Sequence, residues 1–208
     1  MTSTDQVPVA RVAHEAPAGS VAWGNSAPLA LAAFAVTTFM LSMVNAGFID
    51  GGVTPVVFGV ALMFGGIAQL IAGILQFRIG NTFGGVLFST FGAFWMSLFA
   101  IAEFFLKDVP AAQVGHALGL FLIAFGIFTV WIMLASFRTN VVVVVALLDL
   151  ALTFFVLGFG NYSGSAGTVK FGGILGLIVA FLAGYLSCAE LCEFSYKRSV
   201  LPVWPLAK

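Results

Sequence analysis

The chain has 208 residues, of which 61% are hydrophobic and only 8% are charged, and its formal net charge is zero. A soluble domain carries charges at about a quarter of its positions, so this composition excludes an ordinary water-soluble protein and predicts an integral membrane protein. The zero net charge also gives no electrostatic basis for binding nucleic acid.

The first residues differ from the rest of the chain. Positions 1–24 carry polar residues, alanine and proline, and they lack the basic start and short apolar core of a signal peptide. We predict a mobile N-terminal tail at 1–24, a six-helix transmembrane domain at 25–193 and a short cytoplasmic C-terminal tail at 194–208.

Six apolar stretches are long enough to cross the hydrocarbon of a bilayer, for which a helix needs about 20 residues. They lie at 27–49, 53–77, 83–102, 115–137, 141–159 and 171–189, and short polar or glycine-containing breaks separate them. The pattern predicts an all-α membrane protein with six transmembrane helices in each protomer.

The distribution of lysine and arginine predicts the orientation of these helices. Of the eight such residues, only Lys107 and Lys170 lie in the third and fifth loops, whereas the other six lie in the two tails and in the second and fourth loops. Since cytoplasmic segments are enriched in lysine and arginine, we expect both termini in the cytoplasm and a multi-pass protein of the cell inner (plasma) membrane.

Small residues at four-residue spacing predict close packing between helices, because they let two backbones approach. The last span carries such a ridge at Gly172, Gly176, Ala180 and Gly184. The pairs Gly80 with Gly84 and Gly115 with Gly119 repeat the spacing at two other helix starts, where we expect the same packing role.

Polar side chains occur within three consecutive spans, where they are costly unless they face a partner or a cavity. Thr38, Ser42 and Asn45 share one face of the first helix, Gln69 lies in the second and Thr82 begins the third. Hydrogen bonds between helices would explain any one of these stripes. The three together favour a wetted passage, and both interpretations stay open at this point.

Two helix starts strengthen the case for an anion pathway. Asn25 can cap the first span, and Asn81 with Thr82 can cap the third. Free N–H groups and the positive end of the helix dipole at such starts favour carboxylates without a buried lysine or arginine. Ordinary capping is the alternative, and the two roles are compatible.

Asp149 lies near the centre of the fifth span, and no span contains a lysine or arginine that could pair with it. Burial favours the neutral form of a carboxyl group. Our hypothesis is that Asp149 is a proton-responsive group beside the pathway, and the alternative is a neutral acid that bonds to a neighbouring helix. Glu190 and Glu193 are instead expected at the membrane interface, close to basic residues.

No nucleophile–base pair, phosphate-binding loop or metal-ligand cluster is evident in the sequence. Cys188 and Cys192 lie one turn apart without a nearby histidine, which is typical of small packing residues. We therefore predict that the protein is not an enzyme and that it needs no metal or other cofactor.

Several segments resemble the acetate uptake transporter family, also known as the succinate–acetate permease family. Residues 25–31, Asn-Ser-Ala-Pro-Leu-Ala-Leu, resemble its signature Asn-Pro-Ala-Pro-Leu-Gly-Leu. The segments at 64–69, 80–84 and 91–95, which read Phe-Gly-Gly-Ile-Ala-Gln, Gly-Asn-Thr-Phe-Gly and Phe-Gly-Ala-Phe-Trp, are similar to its second and third spans. The resemblance continues with consistent spacing to position 202.

The resemblance implies a homohexamer in which each protomer has its own pore, with acetate as the substrate and succinate or other small carboxylates as further candidates. It leaves open whether the protein is a proton symporter or an anion channel. It also implies that Phe34, Phe91 and Leu150 form the narrowest point and that Ala183 tunes substrate size. Phe91 replaces a Tyr of the family, and Asp149 replaces an uncharged residue such as Ser, which affects selectivity.

Two alternatives to carboxylate transport stay open from the sequence. One is a membrane sensor that binds a metabolite without net flux, and the other is a channel for a different small solute such as urea or ammonium. Under the leading hypothesis the partners are small carboxylates, protons and the lipid bilayer.

Overall fold

The structure is a computed structural model that describes residues 23–207, so the tail predicted at 1–24 lies almost entirely outside the described residues. Within this range six helices are long and apolar enough to cross a membrane, which confirms the predicted number. They are α1 (Ala27–Asn45), α2 (Gly51–Arg78), α3 (Thr82–Asp108), α4 (Ala111–Ser136), α5 (Val141–Ser163) and α6 (Ala166–Tyr196).

The helices end where the backbone turns and not where hydrophobicity ends. The chain leaves α1 through Gly47, whose φ of 77° lies in the left-handed region that glycine tolerates, so α1 is four residues shorter than the apolar stretch predicts. At the other extreme, α6 starts after Ser165, whose hydroxyl accepts from the N–H of Thr168, and it continues to Tyr196.

The residues after α6 fold back onto the start of α5. The N–H of Val141 donates to the carbonyl of Trp204 at 3.0 Å, and the N–H of Leu206 donates to the carbonyl of Thr139 at 2.9 Å. The segment after Tyr196 therefore braces the turn between α4 and α5.

Small residues bring the helices together as the four-residue spacing predicts. A Cβ atom at Gly172 would lie 2.6 Å from Cδ2 of Leu157 in α5, and Gly173 lies directly against the backbone of Ala46 at the end of α1. The prediction is wrong for Gly80, which has nothing within 4 Å and adopts a φ of 80°. This residue is needed for the turn between α2 and α3 and not for packing.

Helix α2 is irregular in its middle. It contains a π-helical segment, Ala61–Ala68, in which Gly65 packs against Thr37 of α1 and Gly66 packs against Met96 of α3. The wider turns end immediately before Gln69, so they set the direction in which this buried amide projects.

Candidate functional site

Three helices place a bulky apolar side chain at one level in the middle of the bundle. Helices α1, α3 and α5 alternate with the other three along the chain, so they cross the bundle in the same direction. Phe34 on α1, Phe91 on α3 and Leu150 on α5 are buried, with 7%, 2% and 5% of their surface exposed. The Phe34 and Phe91 rings meet edge to face, with centroids 5.5 Å apart.

Two cavities approach this level from opposite ends of the bundle. The amino-end cavity, of about 260 Å³, reaches the first turns of α1, α3 and α5, where Ala27 and Asn81 line it. The carboxyl-end cavity, of about 230 Å³, reaches the last turns of the same helices, where Asn45 and Asn161 line it. Phe34 and Leu150 line both cavities, so the two spaces are separated by the apolar level that these residues form.

Most of the residues expected along a pathway border one of these cavities. Gln69, Asn81, Phe91 and Ala183 line the amino-end cavity. Thr38, Ser42 and Asn45 line the carboxyl-end cavity, in keeping with their common helical face.

Two of the expected lining residues lie elsewhere. Thr82 is exposed on the first turn of α3 and lines neither cavity, because the preceding Asn81 takes the capping position and faces the space. Asn25 also lines neither cavity, but its side chain reaches the rim of the amino-end cavity through Glu190, as described next.

A polar cluster closes one side of the amino-end cavity. Asn25 Nδ2 donates to Glu190 Oε2 at 2.8 Å, and Glu190 lines the cavity. The side-chain amide of Gln76 lies 2.9 Å from Asn25 Oδ1 and 2.6 Å from Asn81 Nδ2. Among residues 23–207 the partner of Glu190 is the amide of Asn25 and not a basic residue, which corrects that part of the expectation. Glu190 borders the cavity because α6 passes beside the start of α1.

Asparagine side chains cap the helix starts at this end. Asn81 Oδ1 accepts from the N–H of Gly84 at 3.0 Å, which confirms the predicted cap of α3. Asn140 Oδ1 accepts from the N–H of Val143 in the same way and also lines the amino-end cavity. The sequence reasoning missed Asn140, although its place directly before an apolar span matches that of Asn81.

Asp149 lies beside the constriction and not in either cavity. It precedes Leu150 on α5, is half-buried, and its Oδ2 atom has no hydrogen-bond partner among residues 23–207. One turn later Thr153 donates to the carbonyl of Asp149 at 2.8 Å. Any influence of Asp149 on a passing ligand must therefore act through its neighbour Leu150 or through the local field.

Two further aromatic residues extend the constriction and escaped the sequence reasoning. Phe154 stacks on Phe91 with centroids 6.1 Å apart and 7° between the ring planes. Trp95 meets Phe34 at 6.4 Å. Phe154 lies four residues after Leu150, and Trp95 lies four residues after Phe91. Helical spacing from these two predicted constriction residues was therefore the signal that could have found them.

Comparison with known proteins gives one family and several relatives that match most of this chain. The family described as GPR1/FUN34/yaaH matches residues 10–208. The chain is 38% identical over 197 residues to "Ammonia transport outward protein 2" of Saccharomyces cerevisiae, a match that covers 92% of this chain and 69% of the yeast protein.

A bacterial relative matches over nearly its whole length. The chain is 35% identical over 190 residues to the "Succinate-acetate/proton symporter SatP" of Escherichia coli, which covers 89% of this chain and 97% of the relative. A solved structure, "Structure of the bacterial acetate channel SatP", superposes with a TM-score of 0.81 at 34% identity and covers 88% of this chain and 99% of that chain.

Proposed function

Because the chain belongs to the GPR1/FUN34/yaaH family, we propose that this multi-pass membrane protein transports acetate and related small carboxylates, succinate among them, across the cell inner membrane. The observation that carries the proposal is the pair of cavities that enter from opposite ends and meet at Phe34 and Leu150 within one protomer. The bacterial relative named as a succinate–acetate symporter and the solved acetate channel support the choice of substrate.

The amino-end cavity attracts carboxylates through backbone groups. The starts of α3 and α5, at Asn81 and Asn140, open into it, and the positive ends of helix dipoles favour anions. Glu190 opposes this attraction with its own carboxyl group at the rim. The balance gives a weak binding site, from which a substrate can move on.

The constriction selects for small and weakly hydrated substrates. Its side chains are Phe34, Phe91 and Leu150, which offer no hydrogen bond to replace the hydration shell of a solute. Among residues 23–207 no lysine or arginine lines either cavity, so no fixed cation holds an anion in place. Acetate, with one short apolar end, loses less by passing this level than the larger and more strongly hydrated succinate, so we expect acetate to be the better substrate of the two.

Asp149 is the residue that we propose links transport to protons. We assign to Asp149 the role of a proton-responsive group, because its buried Oδ2 atom has no partner among the described residues and Leu150 is its chain neighbour. An ionised Asp149 disfavours an anion at the constriction, and a protonated one does not. The protein then acts either as a symporter or as an anion channel with proton-dependent flux.

The assembly proposed from the family resemblance is a homohexamer with both termini in the cytoplasm. Large apolar side chains cover the outside of the protomer, with Leu120 and Trp131 on α4 at 70% and 65% exposure, and such a surface suits lipid or other protomers. The mass of the purified complex in a native mass spectrum tests the hexamer. Accessibility of a cysteine introduced near Tyr196 to a membrane-impermeant reagent tests the orientation.

Ammonia or ammonium is a second candidate substrate. The observation in its favour is the 38% identity to the yeast protein whose name describes outward ammonia transport. The same two cavities would serve a small neutral molecule, since the constriction is apolar.

One experiment separates these possibilities. Purified protein in lipid vesicles is given labelled acetate, with and without an imposed proton gradient, and ammonium flux is followed in the same vesicles with an internal pH indicator. Saturable acetate uptake that exceeds that of protein-free vesicles supports the proposal, and dependence on the gradient identifies coupling to protons. Ammonium flux without acetate uptake would replace the proposal by the second candidate, and absence of both would favour a sensor.

A further inference from the structure

The segment that follows α6, residues 197–206, lies against the start of α5, and we call it the strap. Two backbone hydrogen bonds hold it there. The carbonyl of Trp204 accepts from the N–H of Val141 at 3.0 Å, and the N–H of Leu206 donates to the carbonyl of Thr139 at 2.9 Å. The strap is therefore bonded to the chain on both sides of the position where α5 begins.

A side chain of α6 holds the strap at a third point. The hydroxyl of Tyr185 donates to the carbonyl of Pro202 at 2.8 Å. The strap is also stiff, because Pro202 and Pro205 each restrict the backbone. Trp204 between them has a φ of 52°, a left-handed conformation that is uncommon for a residue other than glycine. A stiff segment with three bonds fixes the start of α5 relative to α6.

The residues that the strap holds belong to the wall of the amino-end cavity. Thr139 and Asn140 line this cavity, and Asn140 also accepts from the N–H of Val143 as the cap of α5. Leu186 and Glu190, on the helix that carries Tyr185, line the same cavity. The strap lies wholly within the described residues, and none of its side chains lines either cavity. It therefore contacts the wall of the cavity from the outside.

We propose that the strap positions Thr139 and Asn140 in the wall of the amino-end cavity and thereby sets the affinity for carboxylates that enter from this end. The inference rests on the proposed transport of small carboxylates and adds a group of positioning residues that do not touch the substrate. Without the strap, Thr139 and Val141 lose the bonds that fix the turn between α4 and α5. A site whose wall must become ordered when the ligand binds has a lower affinity than one that is already in place.

The first test variant, Val141→Pro, removes one of the three bonds and leaves the helix intact. Val141 is the first residue of α5, where proline is favoured, and Asn140 before it already has the extended backbone that proline requires, with φ −144° and ψ 162°. The proline ring takes the place of the N–H, so the carbonyl of Trp204 must move away. Ala166→Pro is the matched control, because Ala166 is the first residue of α6, follows the extended Ser165 and lies at the opposite end of the bundle.

The second test variant, Tyr185→Phe, removes the bond to Pro202 and keeps the aromatic ring. Tyr185 lines neither cavity, so any effect of this variant on α5 must pass through the strap. Tyr196→Phe is its control, because Tyr196 lies at the end of the same helix, is 66% exposed and is not bonded to the strap.

Hydrogen exchange of the intact protein, resolved to single backbone N–H groups, measures the position of the wall without transport. In Tyr185→Phe we expect the N–H of Leu206 to exchange about fivefold faster, as the loss of one hydrogen bond predicts. The N–H of Val143 should also exchange faster, because its acceptor Asn140 is no longer held in place. Both groups should exchange at the wild-type rate in Tyr196→Phe.

Uptake of acetate from each side of oriented vesicles measures the consequence for function. Both test variants should raise the KM about fivefold when acetate is supplied at the amino end and leave it near the wild-type value at the other end. A general loss of folded protein would instead lower the maximal rate from both sides and leave the KM unchanged. The two controls should keep the wild-type KM at both ends.

The outcomes separate this inference from the transport proposal. Faster exchange at Leu206 with a wild-type rate at Val143 would overturn the positioning role, and so would a KM that stays at the wild-type value or rises equally at both ends. If the wild-type protein carries no acetate, the transport proposal fails. The exchange rate of Val143 in Tyr185→Phe then still decides whether the strap positions the cavity wall.

Discussion

Replacement of Leu150 by alanine tests the constriction directly. Leu150 is 5% exposed and is one of two side chains that line both cavities, so its truncation widens the level that separates spaces of about 260 and 230 Å³. A hydrophobic site distinguishes substrates that differ by one methylene about tenfold to 200-fold. Because the shorter alanine side chain leaves a wider constriction, we expect Leu150→Ala to raise the uptake of propionate relative to acetate by about tenfold.

The same substitution also has a cost in stability that must be separated from its effect on selectivity. Truncation of a buried leucine to alanine lowers the free energy of unfolding by about 2–5 kcal/mol, and we expect the lower end, about 2–3 kcal/mol, because this site already borders open space. Leu147→Ala is the matched control: Leu147 lies about one turn earlier on α5, is also 5% exposed, and lines only the amino-end cavity.

The assay is competition between labelled acetate and unlabelled propionate or butyrate in vesicles, with the amount of folded protein determined for each variant. Leu147→Ala is expected to lose similar stability and to keep the wild-type preference for size. An unchanged preference in Leu150→Ala, or the same change in both variants, would refute the assignment of the narrow point to Leu150.

Three further substitutions test other parts of the structure. Asp149→Asn mimics the protonated acid, so uptake at alkaline pH should rise towards that at acidic pH; an unchanged pH profile would contradict a proton-responsive role. Ala183→Val fills part of the amino-end cavity and should lower succinate uptake more than acetate uptake. In the competition assay, unlabelled succinate should then inhibit the uptake of labelled acetate less than it does in the wild type. Gly92→Ala places a Cβ 2.6 Å from the backbone nitrogen of Leu70 and should destabilise the protein by about 1–3 kcal/mol in thermal unfolding, whereas Gly59→Ala, with nothing within 4 Å, should not.

The positions of the helices could be predicted because the bilayer imposes a simple rule. Each span needs about 20 apolar residues, and glycine or charged residues separate the spans clearly, so their number and order follow from composition alone. The exact ends could not be predicted in this way. They depend on turn residues such as Gly47 and Gly80, whose positive φ values are set by how the chain must reverse.

Residues that face a cavity on a single helix could also be predicted, since the helical period places Thr38, Ser42 and Asn45 on one face. The role of Glu190 could not, because its partner Asn25 is 165 positions away in the chain and comes close only when α6 packs beside α1. The π-helical segment before Gln69 could not be predicted either, because it also depends on contacts between helices. Side chains of neighbouring helices pack against Gly65 and Gly66 within this segment, and the spacing of residues along one helix carries no information on such contacts.

The helices contribute unequally to the two cavities, and this division has a consequence for function. Helices α1, α2, α3 and α5 line both cavities, whereas α6 lines only the amino-end cavity and α4 lines only the carboxyl-end cavity. The change from one partner helix to the other occurs at the level of Phe34 and Leu150. A substitution on α6, such as one at Ala183, therefore changes only the space that a substrate meets first from the amino end, and one on α4, at Leu122 for example, changes only the space met first from the other end. The KM for acetate measured from each side of oriented vesicles should therefore respond to one of the two substitutions more than to the other.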